Sequence, residues 1–134
     1  MSATKTRIQG FTDTQIELYQ NYNNCFDRCI FIGSDEGVYT TGSYLPAVAG
    51  RKSSGVRLTG GNPAWAGDKS FCNLIKFKQC EFQGAKYGIE GYHCRQTDVD
   101  SCTFQFLWIG ISNVVDDING AYSQGDITLS GVNY

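Results

Sequence analysis

Ile75-Lys76-Phe77-Lys78-Gln79-Cys80-Glu81-Phe82, followed by Gly88-Ile89, decides the fold, because its pattern returns 22 residues later as Thr97-Asp98-Val99-Asp100-Ser101-Cys102-Thr103-Phe104 and Gly110-Ile111. Cys72 and Cys94 share the same offset. Upstream, Cys29, Phe31, Gly37 and Val38 repeat the signature at a displacement of 51, and Ile16-Glu17-Leu18-Tyr19 matches Ile89-Glu90-Gly91-Tyr92 at 73, the sum of the other two offsets. Downstream, Ile127, Leu129, Val132 and Tyr134 reproduce the spacing of Ile75, Phe77, Cys80 and Phe82.

Inside each copy the apolar residues alternate, pause at a pair such as Lys78-Gln79, and alternate again. Alternation with period two marks strands with one face turned inward. Short strands recurring at a fixed interval cannot bury that face alone and must stack on their neighbours, which is the logic of a parallel β-helix. The reading is therefore an all-β solenoid of about 4 to 6 coils, roughly 22 residues each, with like residues ~4.8 Å apart in vertical columns. Three columns are expected: Cys29, Cys80, Cys102 and Val132; Phe31, Phe82, Phe104 and Tyr134; and Val38, Ile89 and Ile111.

Composition agrees. The 134 residues suit a single domain. They include 8 Phe, 8 Tyr and 2 Trp, and Ile with Val outnumber Leu, which favours strands over helices. A net charge of −2 excludes a strongly basic nucleic-acid binder. No stretch approaches the ~18 consecutive apolar residues of a membrane span, and the N-terminus lacks the apolar core of an export signal, so neither a membrane nor a nucleic-acid partner is expected. Two interruptions, at about 40–70 and 112–125, read as loop insertions, and Val56-Arg57-Leu58 offers the makings of one more coil. Because Tyr134 falls halfway round a coil, the chain is expected to be a piece of a longer stack.

Six cysteines invite a disulfide or zinc reading, but Cys29, Cys80 and Cys102 share one repeat position and Cys72 and Cys94 another. That spacing describes small buried thiols in columns, reduced and metal-free. With His93 as the one histidine, zinc sites and a Ser-His-Asp scheme have little to build on. No phosphate-cradling glycine loop is present, and no cofactor is implied.

Outward positions carry the charge. The 22-residue offset sets Lys76 beside Asp98 and Lys78 beside Asp100, so these residues either pair across strands or expose carboxylates for acid/base chemistry. On the second reading Asp98, Asp100 and Glu81 are the catalytic candidates, since glycoside hydrolysis needs two carboxyl groups ~5 to 9.5 Å apart. Trp108 and Trp65 are candidate sugar platforms, through a flat apolar face with a donor at its rim, or else pack their loops on the stack. Tyr92 and Lys78 complete the candidate substrate-binding set. Asp116-Asp117 reads as a solvated turn before Asn119-Gly120 or as an oxygen-donor cation site.

The motif Ile-x-Phe-x-x-Cys-x-Phe with a following Gly-Ile, at Ile75 to Ile89 and echoed at Thr97 to Ile111, resembles right-handed parallel β-helix proteins of the pectate-lyase-like group. Among these it is most similar to phage tailspike and tail-fibre depolymerases. The likeness spans roughly residues 16 to 134. It implies a homotrimeric segment of a virion spike, assembled in a host cytoplasm, that binds bacterial surface polysaccharide and in some members cleaves it as a glycosidase or lyase. It also implies two alternatives, a structural virion segment without chemistry and part of a cellular pectate-lyase-like enzyme. The ordered motifs of polygalacturonases are not matched: Gln96-Thr97-Asp98 and Asp116-Asp117 are present, but Gly91-Tyr92-His93 precedes them and no Arg-Ile-Lys follows.

Overall fold

A computed structural model of the chain describes residues 2–11, 14–19, 22–35, 38–40, 43–46, 53–60, 72–92, 94–114 and 127–132. These residues contain strands and turns and no helix. In chain order the strands are β1 (Ser2–Thr4), β2 (Arg7–Phe11), β3 (Thr14–Tyr19), β4 (Tyr22–Asp27), β5 (Ile30–Gly33), β6 (Val38–Thr40), β7 (Ser43–Leu45), β8 (Ser54–Thr59), β9 (Cys72–Lys78), β10 (Glu81–Tyr92), β11 (Cys94–Asp100), β12 (Thr103–Val114) and β13 (Ile127–Ser130).

Among the described residues all the strand pairings but one are parallel. One sheet runs β1-β4-β9-β11-β13. The other joins β2, β5, β10, β8 and β3, with β12 also on β10. The two halves of β10 have different partners: Glu81 to Gln83 pair with Ile30 to Ile32 of β5, whereas Tyr87 to Tyr92 pair with Ser54 to Thr59 of β8. The exception is the antiparallel hairpin of β6 and β7, inserted between β5 and β8.

The register is the sequence repeat made visible. Cys94 lies on Cys72, Thr97 on Ile75, Val99 on Phe77, Phe104 on Phe82 and Ile111 on Ile89. Stacking therefore acts on whole columns. The Phe31, Phe82 and Phe104 rings lie nearly parallel, with centroids 4.9 and 5.1 Å apart, and Phe26 stacks on Phe77 at 5.1 Å. The two ring columns meet edge to face at 6.1 and 5.8 Å, a favourable quadrupole arrangement worth about 0.5 to 1.5 kcal/mol per pair beyond burial.

The thiols form a second ladder. Cys29 donates to the Ala3 carbonyl, Cys80 to Phe26, Cys102 to Phe77, Cys72 to Leu18 and Cys94 to Leu58, each reaching one layer back. All six cysteines are free, as the repeat implied, and all but Cys25 are buried. The adjacent Cys102 sulfur and burial push the Cys80 thiol far up, Cys72 and burial do the same for Cys94, and burial raises Cys29.

The pauses in the alternation are turns made by one left-handed residue. Lys5, Arg28, Gln79 and Ser101 have φ of 51, 56, 52 and 54°, and Gly131 continues the file at 59°. Their amides bond the layer above or below: Arg28 N–H to Lys78 O, Gln79 to Asp100, Ser101 to Ser130. A second file, Asn23, Leu74 and Gln96, has φ of 55, 57 and 50°.

Two details of the repeat are corrected. Val56, and not Val38, stands in line with Ile89, with Ile16 on its far side. Val38 belongs to the hairpin, opposite Leu45. Accordingly β8 starts no extra layer but continues the one opened by β4 and β5, after the chain leaves the stack for the hairpin. Gly37-Val38 mimics Gly88-Ile89 in spacing alone. The stack also reaches further back than the repeat suggested, since Ala3 lies beside Phe26 and Ile8 beside Phe31.

Candidate functional site

The sequence candidates separate into three places. Asp98 and Asp100 share the outward face of β11 with Lys76 and Lys78 in register on β9, and Asp27 flanks Lys78 from β4. Asp27 is bound by Arg28 at 2.9 Å, and Asp100 accepts the Ser101 hydroxyl at 2.9 Å. Every acid on this face therefore neighbours a base or hydroxyl. Glu81 stands past the turn, on β10 in register with Thr103, and accepts the Gln83 amide at 3.0 Å. Tyr92, 40% exposed, ends β10 in register with Thr59 and Val114, about 17 Å along the strand from Tyr87. Trp65, His93, Asp116 and Asp117 lie outside the described residues.

Trp108 is where the structure builds a cleft. Phe104, Gln105, Phe106, Leu107, Trp108 and Gly110 line a space of about 440 Å³ along β12. Phe106 is 76% exposed and holds φ at 52°, at the position where the preceding layer has Gly84 at 69°. A side chain in the left-handed region carries strain of ~1 to 3 kcal/mol. Gln105 is in register with Gln83, which brings Glu81 to the cleft's margin.

The inserted hairpin reaches Trp108. Tyr44 of β7 sits 6.4 Å from Trp108, centroid to centroid, and its hydroxyl donates to Asp35. Asp35 is 3% exposed and also accepts the Ser53 hydroxyl at 3.0 Å, while Ser53 Oγ in turn accepts the Lys86 amide at 3.1 Å. The second Asp35 oxygen, Oδ1, is buried with no hydrogen-bond partner among the described residues. The ammonium of Lys86 lies 5.4 Å from the Tyr44 ring and 5.0 Å from the Tyr87 ring. A buried carboxylate thus pins an aromatic hairpin against the stack.

A separate buried acid lies on β10. Glu90, 5% exposed, accepts both the Ser54 hydroxyl and Arg57 Nε, the latter at 3.0 Å. Sequence reading identified neither Asp35 nor Glu90, because their burial depends on what packs outside the strands, and alternation reports only what lies inside. A usable signal was the serine pair Ser53-Ser54, unusual beside two apolar columns, whose hydroxyls serve one acid each.

Among the described residues no group of three or more His, Cys, Asp or Glu could hold a metal ion, and no helix is long and apolar enough to cross a membrane. Comparison of the chain with family models, with curated proteins and with solved structures gives no match.

Proposed function

We propose that the chain is a segment of a right-handed parallel β-helix that recognises bacterial surface polysaccharide along the β12 cleft, within a homotrimeric spike of phage-tailspike type carried on a virion. The same-sense registers support the winding, since parallel strands joined by a crossover are right-handed in about 98% of cases. One observation carries the function: Phe106 and Trp108, two residues apart on β12 and preceded by Gln105, line a cleft, and the Tyr44 ring lies 6.4 Å from that of Trp108. Apolar ring faces suit the C–H faces of sugars, and an amide beside them supplies both a donor and an acceptor for hydroxyl pairs.

Recognition is supported better than cleavage. Lysines in register beside Asp98 and Asp100 favour a second reading of those acids, as cross-strand partners holding neighbouring layers together. Glu81, at the margin of the cleft, is the acid best placed to meet a bound chain. Binding of the chain to an array of bacterial capsular and lipopolysaccharide glycans tests the proposal. Retention that falls at least tenfold in Trp108→Ala at unchanged melting temperature is the expected result; no retention of any glycan overturns it. Release of new reducing ends, lost in Glu81→Gln or Asp98→Asn, would add hydrolysis to recognition.

A further inference from the structure

The lysines of this molecule are not alike. Lys76 and Lys78 face register-matched aspartates on the next strand, and Arg57 and Arg28 are bonded to Glu90 and Asp27. Lys86 differs. Among the described residues no carboxylate stands within ion-pairing distance of its Nζ, and the acid that belongs to the same cluster, Asp35, is buried and turned to two hydroxyls.

The backbone of Lys86 is fixed by its amide bond to Ser53 Oγ, and its ammonium is held over the Tyr44 and Tyr87 rings. The repeat makes Trp108 its stack neighbour one layer on, because Ala85 pairs with Leu107 and Tyr87 with Ile109. A cation resting on ring faces is held by the ring quadrupole and keeps hydrogen-bond donors for another partner. Tyr44 links the two, contacting both Lys86 and the Trp108 that lines the cleft. An oriented, half-buried positive charge therefore stands at the edge of an aromatic groove in a chain whose net charge is −2.

We infer that the cleft takes an acidic polysaccharide, with the Lys86 ammonium facing a sugar carboxylate while Phe106 and Trp108 carry the ring faces. The inference rests on the glycan reading above and adds the substrate class. Asp35 acts here as a positioning residue. By holding the Tyr44 hydroxyl it sets the ring on which the ammonium rests. The overall negative charge makes the attraction local, so it must fade with salt as surface charge interactions do.

The test compares uronate-containing and neutral bacterial polysaccharides on one array, using the whole chain and the variants Lys86→Gln, Lys86→Arg and Tyr44→Phe. A charge-assisted contact is worth roughly tenfold or more in affinity. The expected result is retention of acidic glycans, reduced about tenfold in Lys86→Gln, largely restored in Lys86→Arg, and weakened between 50 and 500 mM salt. Tyr44→Phe keeps the ring but frees it from Asp35, and is expected to weaken acidic binding by a smaller factor. Retention of neutral glycans alone, or of acidic ones untouched by Lys86→Gln at unchanged melting temperature, overturns the inference and leaves the glycan reading standing. No retention of either kind removes both.

Discussion

The column of Phe31, Phe82 and Phe104 and the cluster of Asp35, Tyr44, Lys86 and Trp108 are built on opposite principles. In the column each ring meets a copy of itself 4.9 to 5.1 Å away, so the contact that stabilises one layer is repeated in the next. In the cluster every residue is of a different kind and each contact occurs once. Repetition spreads stability over the stack, whereas singularity creates a place where a ligand can be distinguished from water. The substitutions below are ordered by the size of effect this contrast demands.

Phe82→Ala should have the largest consequence. The ring is 1% exposed, stacks on both Phe31 and Phe104 and meets Phe77 edge-on at 5.8 Å. Removing it empties the middle of the column and is expected to cost about 3 to 5 kcal/mol, much of the stability of a domain this size. A denaturant midpoint within experimental error of the parent would show that the column is not what holds the layers together. Gly88→Ala attacks the same column from outside: an added Cβ would stand 2.8 Å from Phe104 Cδ1 and 2.6 Å from the Gly110 carbonyl oxygen. Overpacking of that kind costs about 1 to 3 kcal/mol, read as a lower melting temperature.

Tyr44→Phe addresses the other region. It deprives the buried Asp35 of one hydroxyl while Oδ1 already lacks a partner among the described residues, so a loss of about 1 to 3 kcal/mol is expected from a change of one oxygen atom. Restoration of stability by the double variant Tyr44→Phe, Asp35→Asn would show that the cost lies in the stranded carboxyl group. Absence of any loss in the single variant would mean that the hairpin is not pinned by this bond.

How much of this could be read from the letters follows the same division. The columns were legible because Cys80 and Cys102, Phe82 and Phe104 are the same residue at one spacing, and stacking makes that spacing a distance. The first layer was missed because Ala3 and Ile8 fill the Phe26 and Phe31 positions with aliphatic groups, which pack in the same columns without repeating their letters. Val38 was mistaken for Val56 because an insertion shifts numbering without shifting register. Among the site candidates Trp108 was legible as a flat aromatic face, though it stands within β12 and not in a bend, yet its neighbours Tyr44 and Lys86 come from an insertion and from an earlier layer, and no period relates the hairpin to the stack. The burial of Asp35 and Glu90 is a property of three-dimensional neighbours, for which a single sequence holds no pattern.

The thiol ladder gives the contrast a pH dependence. Burial and neighbouring sulfur raise Cys29, Cys80 and Cys94 in the folded chain, whereas unfolded thiols ionise near their ordinary value of about 8.5. Above that value the unfolded chain has lost protons that the folded chain keeps, so stability is fully present at lower pH and declines as pH rises. Cys102, lowered by its bond to Cys80, acts in the opposite sense, so the net decline is that of the three raised thiols against this one. Urea midpoints measured from pH 7 to 10 should be level at first and then fall. A level profile to pH 10 would remove the thiols from the account of the interior.

Phe106→Gly should produce the smallest change in stability and the clearest separation of the two regions. Phe106 holds φ at 52° with its ring 76% exposed, and the layer beneath already uses glycine at that position with φ at 69°. Glycine there releases left-handed strain, about 1 kcal/mol, while increasing the freedom of the unfolded chain by a similar amount, so the melting temperature should move by only a degree or two in either direction. The cleft, however, loses the exposed Phe106 ring and keeps only the half-buried Trp108, and glycan retention should drop as it does in Trp108→Ala. The two readouts then divide: a core residue would lower stability and binding together, and an idle surface residue would change neither. A strained aromatic kept where glycine fits is a residue retained against the preference of its own backbone, and binding is the property that would account for it. If Phe106→Gly raises stability and leaves retention untouched, the ring has no part in the cleft, and recognition must rest on Trp108, Tyr44 and Lys86 alone.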